Sequence, residues 1–295
     1  LLPVQTPAVL PITTTLNCAG KLLCLNQPVV MGILNLTPDS FFDGGKFTQP
    51  DACLQQAEKM LTEGASLLDI GGMSSRPGAK LIQPHEEMRR VIPAITAIKQ
   101  RFPEAIISID TVWATTAAEA VAAGAGMVND ISAGSIDAQL LPTVAKLQVP
   151  YVLMHMQGTP QNMQQNPVYT HVVEDLLTFF TQKLAYLRSL GITDVVLDPG
   201  FGFGKTVEQN FTLLKNLSVF RLLGLPVLAG ISRKSMICRT LNINPQQALN
   251  GTTALHSLAL LNGANILRAH DVQEAAETIK LMTAYHHATS YPSFP

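Results

Sequence analysis

Eight short apolar stretches recur along this chain: PVVMGIL, SLLDI, AIISID, GMVND, PYVLMH, DVVLD, PVLAG and ANILR. They are too short for helices and do not alternate apolar with polar residues. That pattern predicts strands buried on both faces, as in a parallel sheet covered by helices. Between them lie amphipathic or Ala-rich stretches, among them Asp51–Glu63, Glu86–Lys99, Thr115–Ala123, Val173–Leu190 and Gln246–Leu261. Pro and Gly punctuate the joins. Parallel strands joined by helices imply right-handed crossovers. About eight such units in one chain of this size predict an α/β fold, a closed (β/α)8 TIM barrel. An open doubly wound sheet is the alternative. Its dinucleotide fingerprint, G-x-G-x-x-G after a strand, is not matched by GFGFGK at 200–205, and no Walker A pattern is present.

Residues 1–27 fall outside the repeat and read as an N-terminal extension with a hairpin or cap. Residues 28–288 read as the single barrel domain and 289–295 as a C-terminal tail. The composition, 47% hydrophobic and 14% charged with a net charge of -1, suits a soluble globular domain with a large core. No Lys/Arg run offers a footprint for nucleic acid. Pro3, Pro7 and Pro11 interrupt the apolar N-terminal stretch, which has no basic start, so neither a signal peptide nor a membrane span is expected. Cys18, Cys24, Cys53 and Cys238 are scattered without a CxxC pair and read as reduced thiols of a cytoplasmic protein.

A barrel of this kind carries function at the C-terminal ends of its strands. Those ends hold Asn35, Asp69, Asp110-Thr111, Asn129-Asp130, Met154-His155, Asp198, Gly230 followed by ISRKS, and Arg268 with His270. Asn and Asp often end strands because they make Asx turns and cap the next helix, which accounts for any one of them alone. The full ring, with Arg233, Lys234 and Arg268 added, predicts a site for a flat ligand rich in hydrogen-bonding groups. His155 reads as a satisfied histidine near that site. Two long polar loops open on the same face. One is LTPDSFFDGG, where Phe41 and Phe42 follow Asp39 and Ser40. The other is GGMSSRPG, framed by Gly71-Gly72 and Pro77-Gly78. Both have the look of mobile covers.

MGILNLTPDSFFDGG, DIGGMSSRPGA, DPGFGFGK, ISRKSM and RAHDV, taken together and in this order, strongly resemble dihydropteroate synthases, a pterin-binding family. The resemblance runs from about Leu16 to Tyr285. It implies condensation of 6-hydroxymethyl-7,8-dihydropterin diphosphate with 4-aminobenzoate to give 7,8-dihydropteroate and diphosphate, with Mg2+ as cofactor. Carried over residue by residue, it implies pterin contacts at Asp110, Asn129, Met154, Asp198, Gly230 and Lys234. Diphosphate contacts fall on Asn35, Ser75, Arg76, Arg268 and His270, with Asn35 also the metal contact. Aminobenzoate contacts fall on Phe41, Arg76, Pro77, Phe203 and Ser235. Lys234, Asp110, Arg268 and His270 are the implied catalytic residues. A homodimer formed through helices near the C-terminal end and competition by sulfonamides are implied as well.

The residue chemistry agrees. A pterin edge presents a ring N–H beside an exocyclic amine, and a carboxylate such as Asp198 accepts both. Phosphate in such barrels sits by the loops after strands 7 and 8. The implied reaction is a dissociative, SN1-like substitution with no strong general base, helped by electrostatics, positioning and exclusion of water. The chain departs from the family at Met73, where a Glu is common, and at Ser75, Phe42, Leu36 and Ala269. Two rival readings are a methyltetrahydrofolate:corrinoid methyltransferase-like barrel, which shares the pterin-edge residues, and a non-enzymatic pterin-binding paralogue. The first has no need of Arg268-x-His270 or of the TPDSF loop. The second would be expected to lose Lys234, Arg268 or the loop residues.

Overall fold

The structure is a computed structural model that describes residues 15–36, 49–74 and 78–288, the side chains at 49 and 50 excepted. A hairpin opens the described chain, with β1 (Thr15–Cys18) antiparallel to β2 (Lys21–Cys24). Then come β3 (Val29–Asn35), α1 (Gln49–Thr62), β4 (Ala65–Gly71), α2 (Pro84–Arg101), β5 (Ile106–Asp110), α3 (Ala114–Ala122), β6 (Met127–Asp130) and α4 (Leu140–Leu147). The second half continues with β7 (Tyr151–Met154), α5 (Val172–Ser189), β8 (Val195–Asp198), α6 (Val207–Lys215), β9 (Leu228–Ala229), α7 (Ser235–Leu241), α8 (Leu249–Leu261), β10 (Ile266–Ala269) and α9 (Val272–His287).

All eight predicted strands form. They pair in parallel in the order β8-β7-β6-β5-β4-β3-β10-β9. A parallel bridge from Leu197 to Val227 joins the two ends of this series, so the sheet curls into the expected barrel. The five quoted helices form within a few residues of their predicted bounds. The largest difference is at α8, predicted from Gln246. There Asn244 and Gln247 make a capping box around a short 3-10 turn at Pro245–Gln247, and the α-helix starts only at Leu249.

The main core lies between strands and helices, which is why the strands needed apolar residues on both faces. A second cluster fills the floor of the barrel. Leu16, Cys18, Leu23 and Leu25 from the hairpin region meet Met31, Leu67, Met127, Val152, Val196, Leu228 and Ile266. Each of these strand residues comes from a different strand. Side chains alternate along a strand, so residues two positions further on face the interior too, one layer higher. Those residues are Ile33, Asp69, Asn129, Met154, Asp198, Gly230 and Arg268. The barrel interior therefore changes from hydrocarbon to charge within one two-residue step. No helix among the described residues is long and apolar enough to cross a membrane.

Candidate active site

Arg268 organises the mouth. Its Nε donates to Asp69 Oδ2 at 2.6 Å and its Nη2 donates to Asp110 Oδ2 at 2.8 Å. Asn129 Nδ2 donates to the same Asp69 oxygen at 3.0 Å. Burial opposes the Arg268 charge, yet Asp69 and Asp110 outweigh it and hold the guanidinium above its ordinary pKa. Burial pushes the Asp110 carboxyl up to about 7, against the pull of Arg268, with Asp69, Glu87 and Asp130 adding repulsion. Asp69 is fully buried, so losing Arg268 would leave two carboxylates without their cation.

Asp198 sits across the same cavity. Its Oδ1 accepts the Gly200 N–H at 2.7 Å. Burial raises its pKa, while that hydrogen bond and the charges of Lys234, Arg268 and Lys205 favour the carboxylate. Lys234 Nζ lies 4.1 Å from the centroid of the Phe203 ring, a cation–π contact. Burial and Arg268 lower the Lys234 pKa to about 8, with Asp198 and Asp110 opposing. The cavity is lined by Asp110, Asn129, Met154, Asp198, Gly230 and Lys234, the six residues assigned to a pterin, together with Phe203 and Arg268. A methyl group built on Gly230 would be 3.9 Å from Asp198 Oδ2 and 3.8 Å from Leu228, ordinary contact distances. Protein packing alone therefore does not require glycine there.

The DPGFGFGK segment makes the far wall. Gly200 has φ +68 and a Cβ there would fall 2.0 Å from the His155 carbonyl oxygen, so no other residue fits. Lys205, at the end of the segment, is buried. Its Nζ donates to the carbonyls of Gly200 and Phe203, both at 2.9 Å, and lies 3.1 Å from His155 Nδ1. Burial keeps His155 neutral, lowering its pKa to about 3 with Lys205 adding to the effect, and its ring packs edge-on to Phe179. His155 is thus a satisfied histidine, as expected.

Just before Lys234 the chain turns through Arg233, which has φ +56. The Arg233 guanidinium pairs with Asp271 through two hydrogen bonds, Nε to Oδ2 at 3.0 Å and Nη2 to Oδ1. That pair ties the SRKS turn to the RAHD turn. His270 lies between them, with Nδ1 3.0 Å from Ser232 Oγ. Ser235 is exposed at the start of α7. Asn35 ends β3 at the mouth, and its Oδ1 flanks Gly71 on the same side as Asp110 Oδ2. Phe41, Ser75, Arg76 and Pro77 lie outside the described residues.

The bland account holds for some strand-end groups. Asp130 points away from the cavity, taking the Tyr151 hydroxyl at 2.7 Å and the Ser132 and Gly134 N–H groups. Thr111 donates to the buried Glu87 at 2.6 Å. Both alternate with an inward neighbour, Asn129 and Asp110. Met73, a departure from the family pattern, is buried in an apolar cluster with Val112, Ile131, Met154, Met163 and Phe203. Met73 anchors the stem of the second loop by packing, and next to it the Arg90 guanidinium donates to the Gly72 carbonyl at 2.8 Å. Sequence reasoning missed the roles of Asp69, Lys205 and Glu87. Asp69 was placed among the strand ends, but its pairing with Arg268 across the chain was not.

The sequence matches the pterin binding enzyme family over residues 31–270. It is 45% identical over 267 residues to the dihydropteroate synthase of Haemophilus influenzae, covering 90% of this chain and 96% of that protein. This chain belongs to the dihydropteroate synthase family. It is accordingly a transferase, and the corrinoid methyltransferase reading falls away. The Escherichia coli dihydropteroate synthase is 42% identical over 267 residues, covering 90% of this chain and 94% of its own length. Among solved structures, a Yersinia pestis dihydropteroate synthase with a sulfonamide drug complex superposes with a TM-score of 0.88 at 43% identity, covering 93% of this chain and all (100%) of that one. A Xanthomonas albilineans dihydropteroate synthase with 4-aminobenzoic acid gives 0.88 at 41%, with 94% and 100% covered. The X. albilineans enzyme in complex with 7,8-dihydropteroate gives 0.85 at 39%, with the same coverage.

Proposed function

We propose that this chain joins 6-hydroxymethyl-7,8-dihydropterin diphosphate to 4-aminobenzoate, giving 7,8-dihydropteroate and diphosphate. The observation that carries the reading is the convergence of Asp198, Asn129, Lys234 and Met154 on one cavity over Gly230. Asp198, whose carboxylate form the Gly200 N–H, Lys234, Arg268 and Lys205 favour against burial, accepts the paired N–H groups of the pterin edge. Asn129 donates and accepts along that edge, and Lys234 donates to the pterin carbonyl and ring nitrogen. The room above Gly230 suits a flat ring.

Leaving of diphosphate puts negative charge beside Arg268 and His270, where fixed donors stabilise it. The electron-rich dihydropterin spreads positive charge from its methylene, which supports a dissociative path. The aniline amine then attacks and sheds its proton without a strong base. Aminobenzoate would lie by Phe203 and Ser235, with Phe41, Arg76 and Pro77 supplied by the two loops and Ser75 joining the diphosphate contacts.

Among the described residues no group of three or more His, Cys, Asp and Glu is placed to hold a metal. Mg2+ shared with substrate phosphates needs few protein oxygens. Asn35, partly exposed at the mouth, offers one, so the donor set fits. When bound, the ion would neutralise charge on the leaving diphosphate. The exposed Leu241, Leu249, Leu258, Leu261, Leu281 and Tyr285 on α7, α8 and α9 support a homodimer through these helices. Free thiols at Cys18, Cys24, Cys53 and Cys238 support a cytoplasmic location.

Turnover of the purified protein with both substrates tests the reading. Dihydropteroate should form with Mg2+, stop with a chelator and be inhibited by sulfonamide competitively with aminobenzoate. Pterin binding without product would favour the paralogue. Scrambling of a bridging oxygen label in the diphosphate substrate, with aminobenzoate withheld, is the expected sign of dissociation before attack. No scrambling would favour a concerted displacement.

A further inference from the structure

Ser232 is buried in the SRKS turn and has one hydroxyl hydrogen to place. Its Oγ accepts the backbone N–H of His270 at 3.2 Å. The same oxygen lies 3.0 Å from His270 Nδ1. If Nδ1 carried a hydrogen, Oγ would accept twice from one residue, and its own hydrogen would have no partner among the contacts it makes. If Nδ1 is bare, the hydroxyl donates to it and both groups are satisfied. The second arrangement puts the imidazole hydrogen on Nε2, the nitrogen on the far edge of the ring. We propose that Ser232 is a positioning residue for His270, fixing the tautomer whose Nε2–H donates to the leaving diphosphate.

The surroundings agree with a neutral donor there. Burial lowers the His270 pKa to about 4, with Arg268, Arg233 and Lys234 adding repulsion and Asp271 opposing. Arg268, Arg233 and Lys234 already crowd this end of the barrel, so a further positive charge on His270 is disfavoured. A neutral imidazole contributes a directed hydrogen bond only if the hydrogen is on the correct nitrogen. The backbone N–H of His270 and the Ser232 hydroxyl thus form a closed two-bond ring that fixes both ring orientation and tautomer.

This inference rests on the diphosphate reading of His270, but its structural half can be tested apart from it. The imidazole 15N signals of His270 in the free protein, assigned with His270→Gln, should show a bare Nδ1 and a protonated Nε2. Ser232→Ala should give mixed tautomers, with a melting temperature lowered modestly by loss of the His270 N–H acceptor. It should lower kcat/KM for the pterin diphosphate and the affinity for inorganic diphosphate by about tenfold, the worth of one such hydrogen bond. The aminobenzoate KM should not move, and Ser232→Thr, which keeps the hydroxyl, should restore both signals and rate. A protonated Nδ1 in the wild-type protein would overturn the proposal. So would Ser232→Ala with one unchanged tautomer, or with rate and diphosphate affinity intact. A wild-type protein that makes no dihydropteroate would instead sink the functional reading, leaving the tautomer result standing.

Discussion

At the floor of the barrel Leu67, Val196 and Ile266 meet the hairpin, while Asp69, Asp198 and Arg268 face the mouth two residues later on the same strands. The two layers share backbone, strand pairing and burial, and they differ in what burial does. At the floor, removing apolar surface from water is itself the stabilising term. At the mouth, burial penalises every ionised group, and the layer persists because Arg268 is matched by two carboxylates and Asp198 has the Gly200 N–H and nearby lysines. Stability is concentrated at one end of each strand and electrostatic function at the other, so mutations at the two ends should fail in different ways.

The largest effect is expected from Arg268→Met. It strips the cation from Asp69 and Asp110 and should cost about 3–5 kcal/mol of folding stability as well as catalysis. Denaturant titration measures the first. A stability loss under about 1 kcal/mol would mean the pair is water-exposed and the contrast between layers is overstated. Next, Leu67→Ala opens a cavity at the floor and should cost about 2–5 kcal/mol, with KM for both substrates unchanged in the folded fraction. A changed pterin KM would show that the layers are mechanically coupled.

Asp198→Asn makes the converse test. It replaces an acceptor by a donor facing the donors of the pterin edge. Pterin affinity should fall by about 1–3 kcal/mol while the melting temperature moves little. Calorimetry showing unchanged pterin binding would remove Asp198 from the site. A further test is a pH slope. Folded Asp110, near 7, holds a proton that the unfolded chain releases from its ordinary value of 3.8. Its contribution is therefore full below about pH 4 and lost as pH climbs to 7. Relative to the wild type, Asp110→Asn should lose this downward slope between those limits and run parallel above them. Parallel stability curves throughout would show that Asp110 stays ionised beside Arg268.

How much of this was legible beforehand differs between the layers. The eight strands were legible because fully buried parallel strands need unbroken apolar runs, a local property of composition. The ring of strand-end groups was legible too, because the functional face of a barrel follows from strand direction. The partners were not. Asp130 and Asp110 look alike in sequence, yet one receives Tyr151 and two backbone N–H groups while the other receives Arg268. Likewise Met73 reads as a lost charge until its packing with Met154 and Phe203 is seen.

The sequence by itself determined the period, the strand directions and the chemical types brought to the mouth, because these depend on residues near one another in the chain. Tertiary structure alone decided which charge meets which. Asp69 and Arg268 are 199 residues apart, on the second and last strands of the barrel. Ser232 and His270 are 38 apart on successive loops. Closure of the barrel brings them within hydrogen-bond distance. A buried charge or hydroxyl has its state set by whatever closure places beside it, and no local pattern records that neighbour.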